Sequence, residues 1–203
     1  MQQYKIVAGI TDTMGALLTE ACKDAGFRRV EINHEVPKRE NIKAKPTISC
    51  YLYHLSYAPD YRERNQNLVT THDDQGHIVS YYRDSPLYLM AHYMVAVFGH
   101  NAKEEALLMG LAMKTFLEYP LLTGKQLKGD AFYPDDRLNV YPNPGIQYED
   151  VLSFWRAMNE EARPSVHYQI KFRLESQRIS GPARKVETPE LKLKPIHQHE
   201  MEE

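Results

Sequence analysis

The stretch from Ser85 to Leu122 constrains the fold of this chain more than any other segment. A long apolar run from Pro86 to Phe98 breaks at Gly99, and a second apolar segment follows it and ends at Pro120. Both segments contain too many Leu, Met, Val and aromatic residues to face water, so we expect them to form the interior of an α/β domain. The run of 13 residues is shorter than the roughly 20 that a helix needs to cross a bilayer, so it predicts no membrane span.

Length and charge narrow the class of protein further. The chain has 203 residues, 42% of them hydrophobic, which is enough apolar material for one domain. Its formal net charge is −2, from 25 basic and 27 acidic residues, so no overall positive field attracts nucleic acid or an anionic membrane. Cys22 and Cys50 stand among apolar neighbours without CxxC spacing, which favours buried, reduced thiols over a disulfide. The first 15 residues do not resemble a secretory signal, so we expect a soluble protein made in the cytoplasm.

Apolar periodicity predicts three helices. The first is expected over residues 6–25, where apolar residues recur at three-and-four spacing. The second runs from Asn101, a candidate N-cap, to about Glu118, with Glu104 three residues after the cap and able to reach back to it. The third is expected over residues 147–158, with Trp155, the only tryptophan, anchoring its buried face.

Runs of β-branched and aromatic residues predict the strands. They are residues 29–36, 47–55, 87–98, 137–141 and 165–176, with a hairpin of two short strands inside 67–84 around the turn Asp73-Asp74-Gln75-Gly76. For residues 87–98, which are apolar on both faces, periodicity alone leaves a helix open as the alternative. The segment 165–176 alternates most regularly, so one of its faces is expected to be wet, as in a sheet edge or a half-exposed antiparallel strand. We therefore expect the α/β (α+β) class, with a mixed, largely antiparallel sheet flanked by helices. This single domain is predicted to span residues 1–176.

Residues 177–203 contain three prolines, alternating charges and few large apolar groups, so they are expected to be a flexible polar C-terminal tail.

The common chemical signatures are missing. The chain has no GxSxG, GxxxxGK[ST], GxGxxG or HExxH sequence. The motifs of the common hydrolases, nucleotide-binding proteins and zinc proteases are therefore missing, which argues against an enzyme. The His72-Asp73-Asp74 group with His77 suits a turn better than a metal site. His92 is interpreted as a neutral histidine bonded to a neighbour, and Cys50 and His54, on one face of a strand at i and i+4, would lie about 13 Å apart, too far for a nucleophile pair. We therefore predict no catalytic, cofactor-binding or metal-ligating residue.

A cluster of tyrosine and arginine residues follows the strand at 47–55. These residue types most often anchor protein interfaces, and the near-neutral charge favours a protein partner over nucleic acid. The alternative is that Tyr51 or Tyr53 simply packs in the core. The cluster comprises Tyr51, Tyr53, Tyr57, Tyr61, Arg62, Arg64 and Asn65.

Four blocks of sequence carry a family resemblance. In order they are LLTEACKDAG, SCYLYHLSYAPDYRERN, SPLYLMAHYMVAVFGHNAKEEALLMGLAMKTFLEYPLL and YEDVLSFWRAMNEEARPSVHYQIKFRLES. They resemble the cap, or tail-terminator, family of phage-tail-like contractile injection systems, such as antifeeding prophages and Photorhabdus virulence cassettes. The similarity covers residues 4–176. Residues 66–84 are longer and more polar than expected at that place, so they and the tail are candidates for system-specific contacts.

The resemblance implies a tail-terminator-like fold and a structural role without catalysis or cofactor. It implies a homo-oligomeric ring, with six subunits as the expected number, that binds the distal end of the inner tube and sheath and stops their polymerisation. The implied partners are further copies of the chain and the tube and sheath subunits, with neither nucleic acid nor a membrane span. The protein would be made in the cytoplasm and then become part of the particle, which in some systems is released.

The resemblance also implies where the interfaces lie. We expect a first group of residues to contact the ring or the tube: Tyr57, Tyr61, Arg62, Arg64 and Asn65. Lys171 and Arg173 are expected to border an exposed strand edge over 166–174 that accepts a sheath arm by strand addition. Two alternatives stay open: a tail terminator or completion protein of a contractile-tailed phage, and a small metal- or cysteine-dependent enzyme on the same sheet.

Overall fold

The computed structural model describes residues 2–44, 46–58, 66–72, 75–176 and 178–182. These residues form three α-helices, which are α1 (Ile6–Asp24), α2 (Ala102–Glu118) and α3 (Tyr148–Ala157). They also form nine strands, which are β1 (Glu31–Asn33), β2 (Thr47–Tyr57), β3 (Gln66–His72), β4 (Ile78–Asp84), β5 (Leu87–Phe98), β6 (Leu121–Thr123), β7 (Arg137–Pro142), β8 (Ser165–Leu174) and β9 (Ile179–Pro182). The chain divides into two compact units, a larger one of residues 1–64 and 85–176 and a smaller one of residues 65–84 and 177–203.

The larger unit is built on a six-stranded sheet. Its strand order is β1-β2-β5-β8-β7-β6. Only β1 and β2 are parallel, and every other neighbouring pair is antiparallel. The predicted mixed, largely antiparallel sheet flanked by helices is therefore confirmed.

Helices α1 and α2 cover one face of this sheet. Their apolar stripes meet the inward residues of β2, β5, β7 and β8 in one large cluster, whose fully buried members include Ile10, Met14, Leu108, Ala112, Tyr93 and Ile170. Burying each large apolar side chain contributes about 1.5 to 3 kcal/mol, which explains why helices rich in such residues lie on the sheet. The bounds of α1 and α2 agree with the predicted helices to within one residue at each end.

Two glycines in α1 allow close approach of neighbouring segments. A Cβ at Gly9 would lie 2.8 Å from the carbonyl oxygen of Lys128, and a Cβ at Gly15 would lie 2.6 Å from Nε2 of His34. These contacts explain why a helix interior contains glycines that each cost roughly 1 kcal/mol relative to alanine.

The start of α2 is capped as predicted, with one difference. The side-chain oxygen of Asn101 accepts a hydrogen bond from the backbone N–H of Glu104, at 3.0 Å. The Glu104 carboxylate does not return to the backbone of Asn101; it accepts from the backbone N–H of His100 at 2.7 Å. Glu105 accepts from the backbone N–H of Gly99 at 3.1 Å. Both acids therefore satisfy donors just before the helix, where the helix dipole favours negative charge.

Helix α3 covers part of the opposite face of the sheet. Trp155 is fully buried against Met94, Ala96 and Phe98 of β5, and its ring centroid lies 6.4 Å from that of Phe98. The predicted role of Trp155 as the anchor of α3 is confirmed.

Strand β8 is central, so the predicted sheet edge over 166–174 is wrong. Ser165–Leu174 pairs with β5 along its whole length, and Tyr168–Lys171 also pairs with β7. Its predicted inward face is right, since Tyr168, Ile170 and Phe172 are buried. The edges of the large sheet are β1 and β6, of three residues each, and β6 is not among the predicted strands.

The smaller unit contains a three-stranded sheet in the order β3-β4-β9. Strands β3 and β4 form the predicted hairpin, with Gly76 at φ 82°, a backbone conformation that glycine adopts readily. Strand β9 lies within the predicted tail and pairs with β4. Residues 177 and 183–203 lie outside the described residues, so the prediction of a flexible tail stays a prediction there.

Candidate functional site

The structure describes one member of the first group of predicted interface residues. Tyr57 ends β2 and is 65% exposed, as a contact residue requires. Tyr61, Arg62, Arg64 and Asn65 lie outside the described residues, so their roles stay predictions.

Lys171 and Arg173 lie on a sheet face and not beside an edge. In the register of β5 and β8, Lys171 is opposite Met90 and Arg173 is opposite Tyr88, and such cross-strand partners share a face. The ammonium nitrogen of Lys171 lies 5.3 Å from the centre of the Tyr88 ring, close enough for a cation–π contact. The expectation that these two cations border a strand edge is therefore wrong, because β7 occupies that place.

The charge of Arg173 is engaged within its own unit. Its guanidinium group lies 3.0 Å from a carboxylate oxygen of Asp136, 3.1 Å from one of Asp135 and 3.3 Å from one of Glu175. It also lies over the ring of Tyr133, at 5.5 Å. Because Asp136 is buried, removal of Arg173 would leave a buried carboxylate without its main partner. Arg173 thus stabilises its own unit, and its predicted contact with a partner stays a prediction.

The face that carries α3 also holds an aromatic and histidine cluster that sequence reasoning missed. A bulge at Tyr53 interrupts the pairing of β2 with β5, and beyond it His54 is opposite His92. The ring of His92 consequently lies 6.0 Å from Tyr53 and 5.1 Å from His54. The bulge also places His54 on the face opposite to Cys50, which is buried beneath α1 and α2. The expectation that Cys50 and His54 share a face is wrong, whereas the rejection of a nucleophile pair is unaffected.

His92 is a histidine bonded to a neighbour, as predicted. Its Nε2 lies 2.8 Å from the hydroxyl oxygen of Ser56. Burial, and secondly the nearby His54, lower the pKa of His92 below its usual value, so the neutral ring is favoured. The hydroxyl of Ser56 therefore has a partner at neutral pH.

His167 is the most unusual member of this cluster. It is 7% exposed, and its ring lies 5.5 Å from each of the rings of Tyr53 and Phe154. Neither ring nitrogen has a hydrogen-bond partner among the described residues. Burial lowers the pKa of His167 to about 4, although the carboxylate of Asp150 acts in the opposite direction. His167 is therefore neutral at pH 7, and α3 packs over it.

Beyond α3, the same face is open and combines aromatic with polar groups. Tyr88, Tyr141, Gln169 and Lys171 are all at least partly exposed there, and none belongs to either hydrophobic cluster. Tyrosines with polar neighbours are typical of protein-contact surfaces. We call these four residues the open sheet face and regard it as the main candidate interaction surface of the larger unit.

The described residues hold no arrangement that resembles a catalytic or metal centre. Burial raises the pKa of the Cys50 thiol to about 12 and also raises that of Cys22, so neither thiolate is available at neutral pH. No group of three or more His, Cys, Asp or Glu side chains is placed to hold a metal ion in the part of the chain described. Among its helices, none is long and apolar enough to cross a membrane.

The fold is that of known terminator proteins. It matches the sheath/tube terminator of an extracellular contractile injection system, PVC, in its extended state, with a TM-score of 0.67 at 11% identity over 94% of this chain and 64% of that one. It also matches the tube-terminating cap of the anti-feeding prophage, with a TM-score of 0.62 at 11% identity over 89% of this chain and 60% of that one. The chain thus spans less than two thirds of the length of either protein. No curated protein sequence matches it.

The family follows from the sequence itself. Residues 9–188 match the sequence model of the Pvc16 N-terminal domain. The chain belongs to that family, and the resemblance to cap proteins of contractile injection systems is confirmed.

Proposed function

We propose that this chain is a structural cap, or tail terminator, of a contractile injection system. It forms a closed ring, expected to be hexameric, that binds the distal ends of the inner tube and sheath and stops their growth. The observation that carries the proposal is the family match over residues 9–188, joined to a fold shared with a sheath/tube terminator. The protein is made in the cytoplasm and then becomes part of the particle.

The role is proposed to be structural and not enzymatic. The buried thiols and the protein-contact character of the open sheet face support this assignment. A head-to-tail contact repeated by a closing rotation produces a ring, and one face of a ring can match the end of a tube of the same symmetry.

The contact residues are part of the proposal. Tyr57 and the neighbouring group of Tyr61, Arg62, Arg64 and Asn65 serve ring or tube contacts, and Lys171 serves a partner contact within the open sheet face. A sheath arm that pairs with the large sheet would add at β1 or β6, whose outer edges no described strand occupies.

The decisive experiment is electron microscopy of particles from cells that lack this chain. We expect tubes of variable length with sheaths that fail to stay attached, and restoration of uniform particles by the wild-type gene. Particles of normal length and sheath state without the chain would refute the proposal.

A matched pair of variants tests the contact surface. Tyr57→Asp should weaken capping, whereas Tyr148→Asp should not, because Tyr148 is 71% exposed at the start of α3, outside the proposed contact residues. Equal effects of the two substitutions would remove Tyr57 from the contact.

A further inference from the structure

The smaller unit presents an apolar surface on one face of its hairpin. Leu68, Ile78 and Tyr82 are 58%, 71% and 40% exposed. Leu68 is directly opposite Tyr82 across the two strands, and all three side chains lie on the same face. We call these three residues the hairpin surface. No described side chain of β3 or β4 is buried, and a small sheet of this kind needs a hydrophobic partner to be stable.

The larger unit presents an apolar surface of a different shape. Ala102, Ala106, Gly110, Met113 and Leu117 form one exposed stripe on α2, at spacings of four, four, three and four residues. A cavity of about 470 Å³ adjoins this stripe.

This cavity suits an apolar occupant. Its lining includes Val97, Met109 and Pro164, and the only charged group in it is Glu105, which pairs with Arg163 at 2.8 Å. Because the charge of Glu105 is paired and the rest of the lining is apolar, the cavity suits apolar side chains better than a polar small molecule. We call the stripe and the cavity together the α2 groove.

We propose that the hairpin surface of one copy packs into the α2 groove of the next copy in the ring. The inference rests on the proposed ring, because a head-to-tail contact joins two different surfaces of the same chain. The two surfaces meet that requirement, since one is a flat strand face and the other is concave, and each belongs to its own unit. Pairing of either surface with itself would instead give a twofold dimer.

The exposed area of the hairpin surface is comparable with the non-polar area that one partner buries in a standard protein interface. At roughly 200 Å² for a large side chain, the three residues of the hairpin surface expose roughly 300 Å². A standard interface buries about 800 Å² on each partner, of which a little over half, roughly 450 Å², is non-polar. The hairpin surface therefore supplies most of the apolar area that one side of a stable contact needs.

Two single-substitution variants test this contact, and each of them alters one surface and leaves the other intact. Ile78→Asp places a charge on the hairpin surface, and Met113→Asp places one in the α2 groove. Both positions are exposed, so circular dichroism should show intact folding in each variant. Each substitution should weaken self-association by roughly 30-fold or more, as the loss of a central contact residue does.

The mixture of the two variants separates a head-to-tail contact from other arrangements. By light scattering after size exclusion, we expect rings for the wild type and monomers for each variant alone. An equimolar mixture should give heterodimers and nothing larger, because one intact hairpin surface can meet one intact α2 groove only once. Tyr4→Asp, which changes a side chain that is 79% exposed and lies outside both surfaces, should keep the ring.

The possible failures are distinguishable. Rings in either variant, or a mixture that stays monomeric, would overturn the contact and leave the proposed cap function standing. Rings that persist in both variants while tube-end binding is lost would assign the surfaces to the tube, which also overturns the inference. A wild-type chain that never forms a ring would overturn both proposals.

Discussion

His167 should make the stability of the fold fall between pH 7 and pH 4.5. A histidine has a pKa near 6.5 in an unfolded chain, and burial lowers the pKa of His167 to about 4 in the folded state. Between these values the unfolded chain binds more protons than the folded one, so the free energy of unfolding decreases as the pH falls. From these two pKa values, the loss between pH 7 and pH 4.5 is about 2 kcal/mol. Well below pH 4 this contribution stops growing, because both states are then protonated.

The variant His167→Phe isolates that contribution. Its ring replaces the imidazole between Tyr53 and Phe154, an aromatic environment that suits it, and it removes two buried nitrogens without partners. The carboxylates that do not interact with His167 contribute equally in both proteins, so their contributions cancel when the two pH profiles are subtracted. Urea unfolding at pH 7 and at pH 4.5 should show the wild type losing about 2 kcal/mol more than the variant.

Two controls complete the measurement. NMR titration of the ring protons should place the pKa of His167 well below the value of about 6.5 of a histidine in an unfolded chain. Equal losses of stability in wild type and variant would show that His167 is hydrated or hydrogen-bonded in solution, and the reasoning from its buried nitrogens would then fail.

The remaining predictions concern the N-cap of α2, two glycines in helices and the Cys50 thiol. Asn101→Ala should lower the free energy of unfolding by about 1 kcal/mol, measured by urea denaturation, because α2 loses its N-cap. Gly110→Ala should raise the thermal midpoint, since nothing lies near the added methyl, whereas Gly9→Ala should lower it because the methyl would meet a backbone carbonyl at 2.8 Å. The Cys50 thiol should resist alkylation in the folded protein and react once urea unfolds it, and fast native-state labelling would contradict its burial.

The helices could be predicted because the information that specifies them is local. The apolar periodicity of α1 and the Asn101 cap of α2 lie within the segments that they describe, so their bounds were nearly right. The position of a strand in a sheet is not local. Strand β8 looked like an edge because its alternating polar residues indicate one wet face, yet β7 pairs with it all the same. Alternation reports which face is covered, and it does not report how many neighbours a strand has.

The histidine cluster could not be predicted for a related reason. His54, His92 and His167 are on three different strands, and only the pairing register brings His54 and His92 together. The bulge at Tyr53 then changes which face the following residues occupy, so counting from Cys50 gave the wrong side. The available signal was one histidine within each of the predicted strands 47–55, 87–98 and 165–176. Strand β9 was missed because its four residues lie in a polar segment and pair with a strand about 100 positions earlier.

The similarity to the two terminator structures and the two proposed surfaces illustrate one contrast: a packed core tolerates more sequence change than a specific interface does. A packed core accepts any apolar side chains of suitable total volume, so a fold can persist at 11% identity with a TM-score of 0.67. A ring interface is more demanding, because a surface such as the hairpin surface must match the groove that receives it and reject others. Among the described residues of the smaller unit, the most exposed large apolar groups lie on its hairpin, the segment that is longer and more polar than the family resemblance leads one to expect. The hairpin is therefore the part of the chain in which assembly contacts can diverge while the core that supports them keeps its shape.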